Sequence, residues 1–292
     1  MSENIPTLAE IDAIVTDTAV GEYWERGYWI SPKIFNDEQI ARLRRAHERL
    51  WAYDFDHPYV QSQYSIHDTE VNSPRLRLQM NAFWLNDEIR QGVTSPFIGK
   101  IAAKLMKTDS VYLWHDQAIY KPGTAGQPTT NLGNVGWHQD YGYWKASSTT
   151  NMVTAWVALQ DTDLSIGGMR TIVGSHKWGL VEGSDSFTSR DLEKLAEKFA
   201  IKGGGPWIDE PCILKAGQAS FHHSLTFHGS GPNTSDQPRL CIIAHMFPGE
   251  TVYRQAGNQW HPNVLFLGPN AYDGQPFSGD FWPRLWPQED LG

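Results

Sequence analysis

The run SVYLWHDQAIY, residues 110–120, marks the point where the sequence changes from a helical to a β pattern. It is rich in β-branched and aromatic side chains. Three similar runs follow at residues 151–160, 218–227 and 238–247, with Gly, Pro, Asn and Ser clusters between them. Several short strands separated by turn signals are typical of an antiparallel sandwich or barrel. We therefore expect a mainly β fold with a double-sheet core and helices that buttress it.

Two stretches before this region have the pattern of amphipathic helices. Residues 36–51, NDEQIARLRRAHERLW, start with a capping residue at Asn36 or Asp37 and carry apolar side chains along one stripe. Residues 95–106, SPFIGKIAAKLM, start with a serine N-cap followed by proline at the first helical position. The first hundred residues are therefore expected to be mostly helical.

A third helix is predicted inside the β region, over residues 188–200, with Thr188 or Ser189 as its cap. The tail after Gly257 is rich in Pro, Gly and aromatic residues and is expected to wrap over the body or cover a site. We see no repeat, charge block or low-complexity linker, so a single domain is predicted. Its parts are a helical segment over about 1–108, a β core over about 109–250 and the tail over about 251–292.

Composition and charge exclude several classes of protein. The chain has 292 residues, a net charge of −9 and a pI near 5.6, which argues against a nucleic-acid partner. The apolar runs are too short to span a bilayer, and the N-terminus lacks the pattern of a signal peptide, so no membrane partner is expected. Only two cysteines, Cys212 and Cys241, are present, which indicates a reducing compartment, and we predict a cytoplasmic monomer or homodimer.

Candidate metal ligands lie in GWHQDYGYW, residues 136–144. In an extended strand, residues two positions apart project from the same face, so His138 and Asp140 can reach one point. An imidazole and a carboxylate suit a divalent first-row metal such as iron, particularly if a second histidine joins them. One such pair is expected by chance in a chain of this composition, so the pair needs a third ligand to carry a metal site.

The segment FHHSLTFHGSGPNTSDQPRL, residues 221–240, offers three candidates for the third ligand. They are His222, His223 and His228. Strand parity cannot choose between His222 and His228, because both fall on the same face of an extended segment. Position favours His228, which directly precedes a turn and would lie at the mouth of a barrel.

A short hairpin after His228 would bring Arg239 back beside it at the start of the next strand. Arg239 would point inward, on the same face as Cys241, Ile243 and His245. An inward arginine in a β core is unfavourable unless it meets a carboxylate. A ligand carboxylate, held bidentately, would meet that need, and a structural pair with Asp or Glu is the alternative.

The order of these residues, His-x-Asp, then a distant His, then Arg in the following strand, resembles the phytanoyl-CoA dioxygenase family of Fe(II)- and 2-oxoglutarate-dependent oxygenases. The resemblance extends from about residue 22 to 250. Four stretches carry it: YWERGYWISPKIFNDEQIARLR (23–44), WHQDYGYW (137–144), WVALQDTDLSIGGMRTIVGSHKWG (156–179) and FHGSGPNTSDQPR (227–239).

The resemblance implies a double-stranded β-helix core, of the jelly-roll or cupin-like kind, and a role for each matching residue. It implies His138, Asp140 and His228 as iron ligands and Arg239 as the partner of the distal 2-oxoglutarate carboxylate. It implies that Ser230 adds a hydroxyl to that carboxylate. Gln117 and Trp156 are weaker candidates for lining the cosubstrate pocket, since Gln117 could instead satisfy a backbone group and Trp156 could be a core residue. It makes His176 a loop-ordering residue, whereas His47, His222, His223 and His245 are expected to serve in packing or in support of the ligands.

The implied activity is a dioxygenase reaction that uses Fe(II), 2-oxoglutarate and O2, releases succinate and CO2, and oxidises a C–H bond of a small molecule. Hydroxylation is the expected outcome. Trp144, Tyr141 and Tyr143 are candidate substrate contacts, and strand parity puts Trp144 first, on the side of His138 and Asp140. The acidic charge makes an acyl-CoA less attractive than a small natural product of secondary metabolism, an amino-acid derivative or an aminoglycoside-like compound. The alternatives are a cupin-type metalloenzyme without 2-oxoglutarate, or a Trp-rich barrel that binds a small ligand without catalysis.

Overall fold

The structure, a computed structural model, describes residues 5–58, 75–126, 133–255 and 261–288. Two antiparallel sheets face each other; the helices of the N-terminal part pack on the outer side of the larger sheet, and a later helix packs against the smaller one. No helix within these ranges is long and apolar enough to cross a bilayer. The helices are α1 (Ile11–Ile14), α2 (Asp17–Arg26), α3 (Asp37–Trp51), α4 (Asp87–Val93), α5 (Pro96–Met106) and α6 (Leu192–Lys202).

The predicted helix starts are right for α3 and α5 and wrong for α6. Asn36 caps α3 in a capping box with Gln39, since each side chain accepts a hydrogen bond from the other's backbone N–H. Helix α6 starts at Leu192, and its N-cap is Asp191 instead of Thr188 or Ser189. The residues before it form a turn instead, in which the N–H of Ser189 donates to the carbonyl of Ser186, and the side chain of Asp191 accepts from the N–H of Lys194.

The larger sheet carries the long β-branched and aromatic runs of the sequence. Its strand order is β1-β8-β5-β10-β3-β11, and β2 pairs with β3 from the side. Every pairing in it is antiparallel. The strands are β1 (Tyr28–Ile30), β2 (Arg77–Met80), β3 (Val111–Lys121), β5 (Val153–Ala158), β8 (Ala219–His223), β10 (Arg239–Pro248) and β11 (Arg284–Trp286).

The smaller sheet is built from four short strands in the order β4-β9-β6-β7. They are β4 (Val135–His138), β6 (Arg170–Ile172), β7 (Asp209–Pro211) and β9 (His228–Ser230). Together the two sheets form the antiparallel, jelly-roll type of core that the sequence predicts, with α1 to α5 on the larger sheet and α6 against the smaller one.

The two faces of the larger sheet have different neighbours, as strand alternation requires. On β10, Ile242 and Ala244 pack against the helices, whereas Cys241 and Ile243 face the smaller sheet. The space between the sheets holds a cavity of about 290 Å³. The functional side chains discussed below line this cavity.

The hairpin expected between His228 and Arg239 does not exist. The chain leaves the larger sheet after His223, makes a turn over residues 224–227 and starts β9 in the smaller sheet at His228. After β9 it returns to the larger sheet, where Arg239 pairs with Lys121. His222 and His228 therefore lie on different sheets, so the assumption that they share one extended segment was wrong.

Both ends of the chain contribute to the core. Strands β1 and β2 of the segment predicted as helical join the larger sheet, and so does β11 of the tail. The tail side chains Phe277 and Trp282 pack against Trp114 of β3. The predicted single domain is compatible with this arrangement and stays a prediction.

Candidate metal centre

The loop after β4 fixes the positions of His138 and Asp140. Strand β4 ends at His138, and residues Asp140–Gly142 form a single 3-10 turn. The side chain of Gln139 anchors this loop, because its amide donates to the carbonyls of Gly179 and Leu225 at 2.8 and 2.7 Å. The backbone N–H of Tyr141 adds a bond to the carbonyl of Ser224.

His228, the first residue of β9, pairs in register with His138, so the two imidazole rings lie 4.1 Å apart between centroids. The Nδ1 atom of His138 lies 2.8 Å from the carbonyl of Gly136, and that of His228 lies 3.0 Å from the carbonyl of Thr226. A carbonyl only accepts, so each Nδ1 carries the proton and each Nε2 keeps a free lone pair.

Those two lone pairs converge with the carboxylate of Asp140. Its Oδ1 lies 3.5 Å from Nε2 of His138 and 3.6 Å from Nε2 of His228. One ligand atom from each of the three residues lies within 4.8 Å of the other two, and all three side chains are buried. Two neutral imidazoles and one carboxylate on one side of a point fit a divalent first-row metal with open positions.

The protonation states also suit a metal. Burial acts to raise the pKa of Asp140, but the nearby His228, His138 and His222 hold that pKa well below its usual range. Burial lowers the pKa of His228 well below its usual value, and the neighbouring His138 and His222 act in the same direction. An ionised carboxylate and a neutral imidazole are the forms that bind metals.

A fourth imidazole, His222 from β8, lies against this group. Its Nε2 is 3.5 Å from the other carboxylate oxygen of Asp140, and its ring centroid is 4.3 Å from that of His228. That oxygen already accepts a hydrogen bond of 2.7 Å from the hydroxyl of Thr154. His223 points to the other face of β8, where it packs against Tyr23 and Trp24.

Strand parity fails beyond Gln139, because the chain turns there instead of staying extended. Tyr143, which parity placed facing away, lines the cavity together with Trp144. Tyr141 is absent from the lining, and its hydroxyl donates to the carbonyl of Ser147 at 3.0 Å. Of the three predicted substrate contacts, the structure therefore places Trp144 and Tyr143 at the cavity and Tyr141 beside it.

Arg239 closes the opposite end of the cavity. It is 2% exposed, and its Nη1 donates to the carbonyl of Gly167 at 2.6 Å. Its guanidinium carbon lies 5.2 Å from the ring centroid of Trp156. Among the described residues no carboxylate pairs with it, so the structural ion pair considered from the sequence is not formed there.

Lys121 is a buried lysine at the cavity that the sequence analysis missed. It pairs with Arg239 across β3 and β10, and its Nζ donates at 2.6 Å to both the hydroxyl of Ser230 and the carbonyl of Gly231. Burial lowers the pKa of Lys121 well below its usual value, and Arg239 adds to the effect. Parity in β3 would have indicated its direction, because Lys121 is an even number of residues from Gln117.

The remaining predicted residues also border the cavity. Gln117, Trp156 and Ser230 line it between the metal ligands and Arg239. Seven further lining side chains are apolar, namely Leu78, Met80, Ile119, Val135, Met169, Phe187 and Ile243. His176, as expected, orders a loop, since its Nε2 donates to the carbonyl of Trp24 at 2.9 Å.

Comparisons with known proteins agree with this geometry. Residues 23–241 match the family described as Phytanoyl-CoA dioxygenase (PhyH). Peroxisomal phytanoyl-CoA dioxygenase of Rattus norvegicus is 23% identical over 237 residues, which cover 79% of this chain and 68% of the rat protein. Ectoine dioxygenase of Bordetella bronchiseptica is 25% identical over 275 residues, 88% of this chain and 81% of that protein.

A solved structure shows the same fold. The epimerase SnoN, crystallised with Fe3+, alpha ketoglutarate and nogalamycin RO, superposes with a TM-score of 0.70 at 22% sequence identity. The match covers 94% of this chain and 100% of the SnoN chain.

Proposed function

The chain belongs to the phytanoyl-CoA dioxygenase family, and from this premise we propose that His138, Asp140 and His228 hold the Fe(II) of a 2-oxoglutarate-dependent dioxygenase. The proposed reaction is hydroxylation of a C–H bond in a small molecule. When bound, iron, 2-oxoglutarate and O2 supply the oxidising power, with succinate and CO2 as coproducts. One observation carries the proposal: a single cavity has a three-residue ligand set at one end and a buried arginine without an acidic partner among the described residues at the other.

The metal residues act by geometry and charge. The backbone carbonyls of Gly136 and Thr226 hold the two imidazoles with Nε2 toward the metal position. Thr154 donates to the outer oxygen of Asp140, which leaves the inner oxygen for the ion. No small residue replaces Asp140, so a halide has no vacant ligand position, and hydroxylation is favoured over halogenation.

At the other end, Arg239 takes the distal carboxylate of 2-oxoglutarate through its guanidinium fork. Ser230 adds a hydroxyl, and Lys121 fixes that hydroxyl by donating to its oxygen. Since the lysine supplies the donor to Ser230, the serine proton is free to point at the carboxylate. Trp156 supports the guanidinium from its ring face, and Gln117 borders the chain of the cosubstrate.

This arrangement disfavours the two alternatives. A cupin-type enzyme without 2-oxoglutarate has no use for a buried arginine at the end of the cavity, and burying that charge without an anion is costly. A binding barrel has no use for three converging metal-ligand atoms. The Trp-rich composition is explained by packing in several places, since Trp114 and Trp282 belong to one buried aromatic cluster.

The proposal extends to the cellular compartment and the oligomeric state of the protein. Cys212 and Cys241 are both free and buried, which fits a reducing, cytoplasmic compartment. A cytoplasmic monomer or homodimer acting in secondary metabolism stays our proposal, and gel filtration tests its oligomeric part.

Anaerobic titration tests the function directly. Fe(II) followed by 2-oxoglutarate is expected to give a weak visible charge-transfer band, and neither component is expected to give it alone. On admission of air, 2-oxoglutarate consumption should yield an equal amount of succinate. A folded protein that shows neither band nor succinate would contradict the proposed function.

A further inference from the structure

A row of polar side chains crosses the inner face of the larger sheet next to Asp140. The strand registers place Thr154 of β5 between His222 of β8 and His245 of β10. All three side chains are buried and line the cavity. Residues directly opposite each other on neighbouring strands lie within contact distance, so these side chains form one continuous row.

The carboxylate of Asp140 lies against the middle of this row. Its outer oxygen, Oδ2, is 2.7 Å from the hydroxyl of Thr154, 3.5 Å from Nε2 of His222 and 3.8 Å from Nδ1 of His245. Of these three contacts, the one with Thr154 has the length of an ordinary hydrogen bond. Since Asp140 belongs to a 3-10 turn and not to a strand, this bond orients its side chain where strand pairing does not.

The two oxygens of Asp140 have separate surroundings. The inner oxygen, Oδ1, lies 3.5 Å from Nε2 of His138 and 3.6 Å from Nε2 of His228, at the metal position, whereas the outer oxygen lies on the row. A carboxylate can bind a metal through one oxygen or through both. The last torsion of an aspartate has broad wells, so a small rotation would bring the second oxygen to the metal. A hydrogen bond to the outer oxygen opposes that rotation.

The hydroxyl of Thr154 has a fixed donor direction. Its oxygen lies 2.7 Å from Oδ2 of Asp140 and 2.8 Å from Nδ1 of His245. A carboxylate that binds a metal is ionised and only accepts, so the single hydroxyl proton points to Asp140. His245 must then donate from Nδ1 to the threonine oxygen. This second bond strengthens the first, because hydrogen bonds in a chain polarise one another.

Packing alone does not require these two polar side chains. Thr154 and His245 are 1% and 3% exposed, and the next residues on the same face of their strands include the apolar Trp156 and Ile243. Valine is similar in shape to threonine and forms strands equally well. A buried hydroxyl or imidazole is unfavourable unless it is hydrogen-bonded, and the bonds observed here all lead to Asp140.

We infer that His245 is a positioning residue: through Thr154 it holds the outer oxygen of Asp140 away from the metal and so reserves an open metal position for 2-oxoglutarate. The inference rests on the proposed function and deepens it. Two histidines and a carboxylate bound through one oxygen leave open positions on one side of the ion. An Asp140 that bound through both oxygens would occupy one of the positions that the chelating cosubstrate needs. The row should therefore affect the binding of 2-oxoglutarate more than the binding of the metal.

Two calorimetric titrations under argon test the role of Thr154: Fe(II) into the metal-free protein, and 2-oxoglutarate into the Fe(II)-loaded protein. Thr154→Val removes the hydroxyl and should weaken 2-oxoglutarate binding by about tenfold or more, as the loss of a hydrogen bond to a charged group implies. It should change Fe(II) affinity less than threefold. A smaller loss of 2-oxoglutarate affinity, or a larger change in Fe(II) affinity, overturns the inference.

Two further substitutions separate the hydroxyl from the shape of the side chain. Thr154→Ser keeps the hydroxyl and should bring 2-oxoglutarate affinity to within threefold of wild type, and a larger deficit overturns the inference. Thr162→Val is the matched control and should leave both affinities unchanged. Thr162 is buried and does not line the cavity, and its hydroxyl has no partner within the described residues.

Variants of His245 test whether it acts through Thr154. His245→Leu removes the donor and should weaken 2-oxoglutarate binding at least threefold, whereas His245→Asn places an amide N–H near the former Nδ1 and should recover the affinity. In the Thr154→Val protein, His245→Leu should add less than twofold, because the hydroxyl through which it acts is absent. A larger added loss, or no loss from His245→Leu alone, overturns the inference.

The charge-transfer band separates this inference from the proposed function. If wild type forms no band with Fe(II) and 2-oxoglutarate, the dioxygenase assignment fails. If wild type forms the band and Thr154→Val keeps full 2-oxoglutarate affinity, only the positioning role fails. Circular dichroism checks folding. If Thr154→Val does not fold, the comparison of His245→Leu with His245→Asn carries the test, and equal 2-oxoglutarate affinities in these two variants overturn the inference.

Discussion

At the scale of single residues, His228 and His222 differ in how they meet Asp140, although both rings touch it. His228 and His138 share the inner oxygen, and a backbone carbonyl fixes the tautomer of each. His222 faces the outer oxygen, which Thr154 already occupies, and neither of its ring nitrogens has a hydrogen-bond partner within the described residues. Only His228 is therefore placed as a ligand.

We expect His228→Ala to abolish 2-oxoglutarate turnover, because the metal loses one of three ligands. His222→Ala, the matched control, should keep at least part of the turnover. Succinate formation and Fe(II) affinity measure both effects, with circular dichroism as the check on folding. Turnover that persists in His228→Ala would remove this residue from the ligand set, and equal complete loss in both folded variants would leave no distinction between them.

Arg239→Lys should weaken 2-oxoglutarate binding by about 1–3 kcal/mol, the range of a charge-assisted hydrogen bond. Lysine keeps the charge but loses the planar fork, and Lys121 already fills the neighbouring space. Iron affinity should hardly change. Arg170→Lys serves as control, because Arg170 of β6 forms an ion pair with Asp209 of β7 and does not line the cavity. If iron affinity fell while the 2-oxoglutarate constant held, the role of Arg239 would be structural.

At the scale of elements, long strands were predictable and short ones were not. The runs that form β3, β5, β8 and β10 can be recognised as strands in the sequence, because buried strands are enriched in β-branched and aromatic side chains. Strand β9 has three residues, His228–Ser230, and is held in place by its partners β4 and β6. Nothing in so short a segment reveals tertiary pairing.

The residues of the candidate site could be predicted from the sequence, because their order and spacing are local features. Their geometry could not, because it depends on contacts between distant parts of the chain. Spacing pointed to His138 and Asp140, the position before a turn favoured His228, and the resemblance to a family gave His228 and Arg239 their expected roles. The 3-10 turn after Gln139 depends on hydrogen bonds to residues 179 and 225, which are distant in sequence. Parity therefore misplaced Tyr143, and the inward Lys121 was missed because its strand was counted only to residue 120.

Strand β4 offers a test of how an element positions a ligand. A Cβ added to Gly136 would clash with the backbone carbonyls of Ser186 and Ser189, which cannot move as a flexible side chain would. Gly136→Ala should therefore shift β4 and the imidazole of His138, and Fe(II) affinity should fall at least tenfold. Calorimetric Fe(II) titration under argon measures this.

Gly21→Ala is the matched control for that change. Gly21 lies inside α2, and a Cβ there would meet nothing within 4 Å. This substitution should raise the free energy of unfolding by roughly 0.5–1 kcal/mol, because alanine favours a helix, and should leave Fe(II) affinity alone. Unchanged affinity in Gly136→Ala would show that the loop adapts and that β4 does not set the position of His138.

At the scale of the whole molecule, one strand connects every part of the proposed chemistry. Arg239 and His245 are both on the inner face of β10, six residues apart, which is about 20 Å along an extended strand. The outer face of β10 packs against the helices, which thereby support both ends of the cavity at once. A disturbance of the helical layer is therefore expected to reach the site through β10.

His47 ties the helical layer to β10 and predicts how the molecule responds to acid. Its Nε2 lies 3.0 Å from the carbonyl of Cys241, and its Nδ1 accepts from Trp51 at 3.0 Å, so the neutral ring has both bonds filled. Burial lowers the pKa of His47 to about 4, below the ordinary value of 6.5.

As the pH falls from about 6.5 toward 4, the unfolded chain binds a proton here that the folded chain does not, so the free energy of unfolding decreases. Between pH 7 and pH 5 this one residue should account for about 2 kcal/mol of that decrease. His47→Gln keeps a donor and an acceptor but cannot titrate, and urea unfolding of the metal-free protein should show a correspondingly smaller loss of stability over this range. An equal decrease in the free energy of unfolding in variant and wild type would mean that protonation of His47, between α3 and β10, does not contribute to the pH dependence.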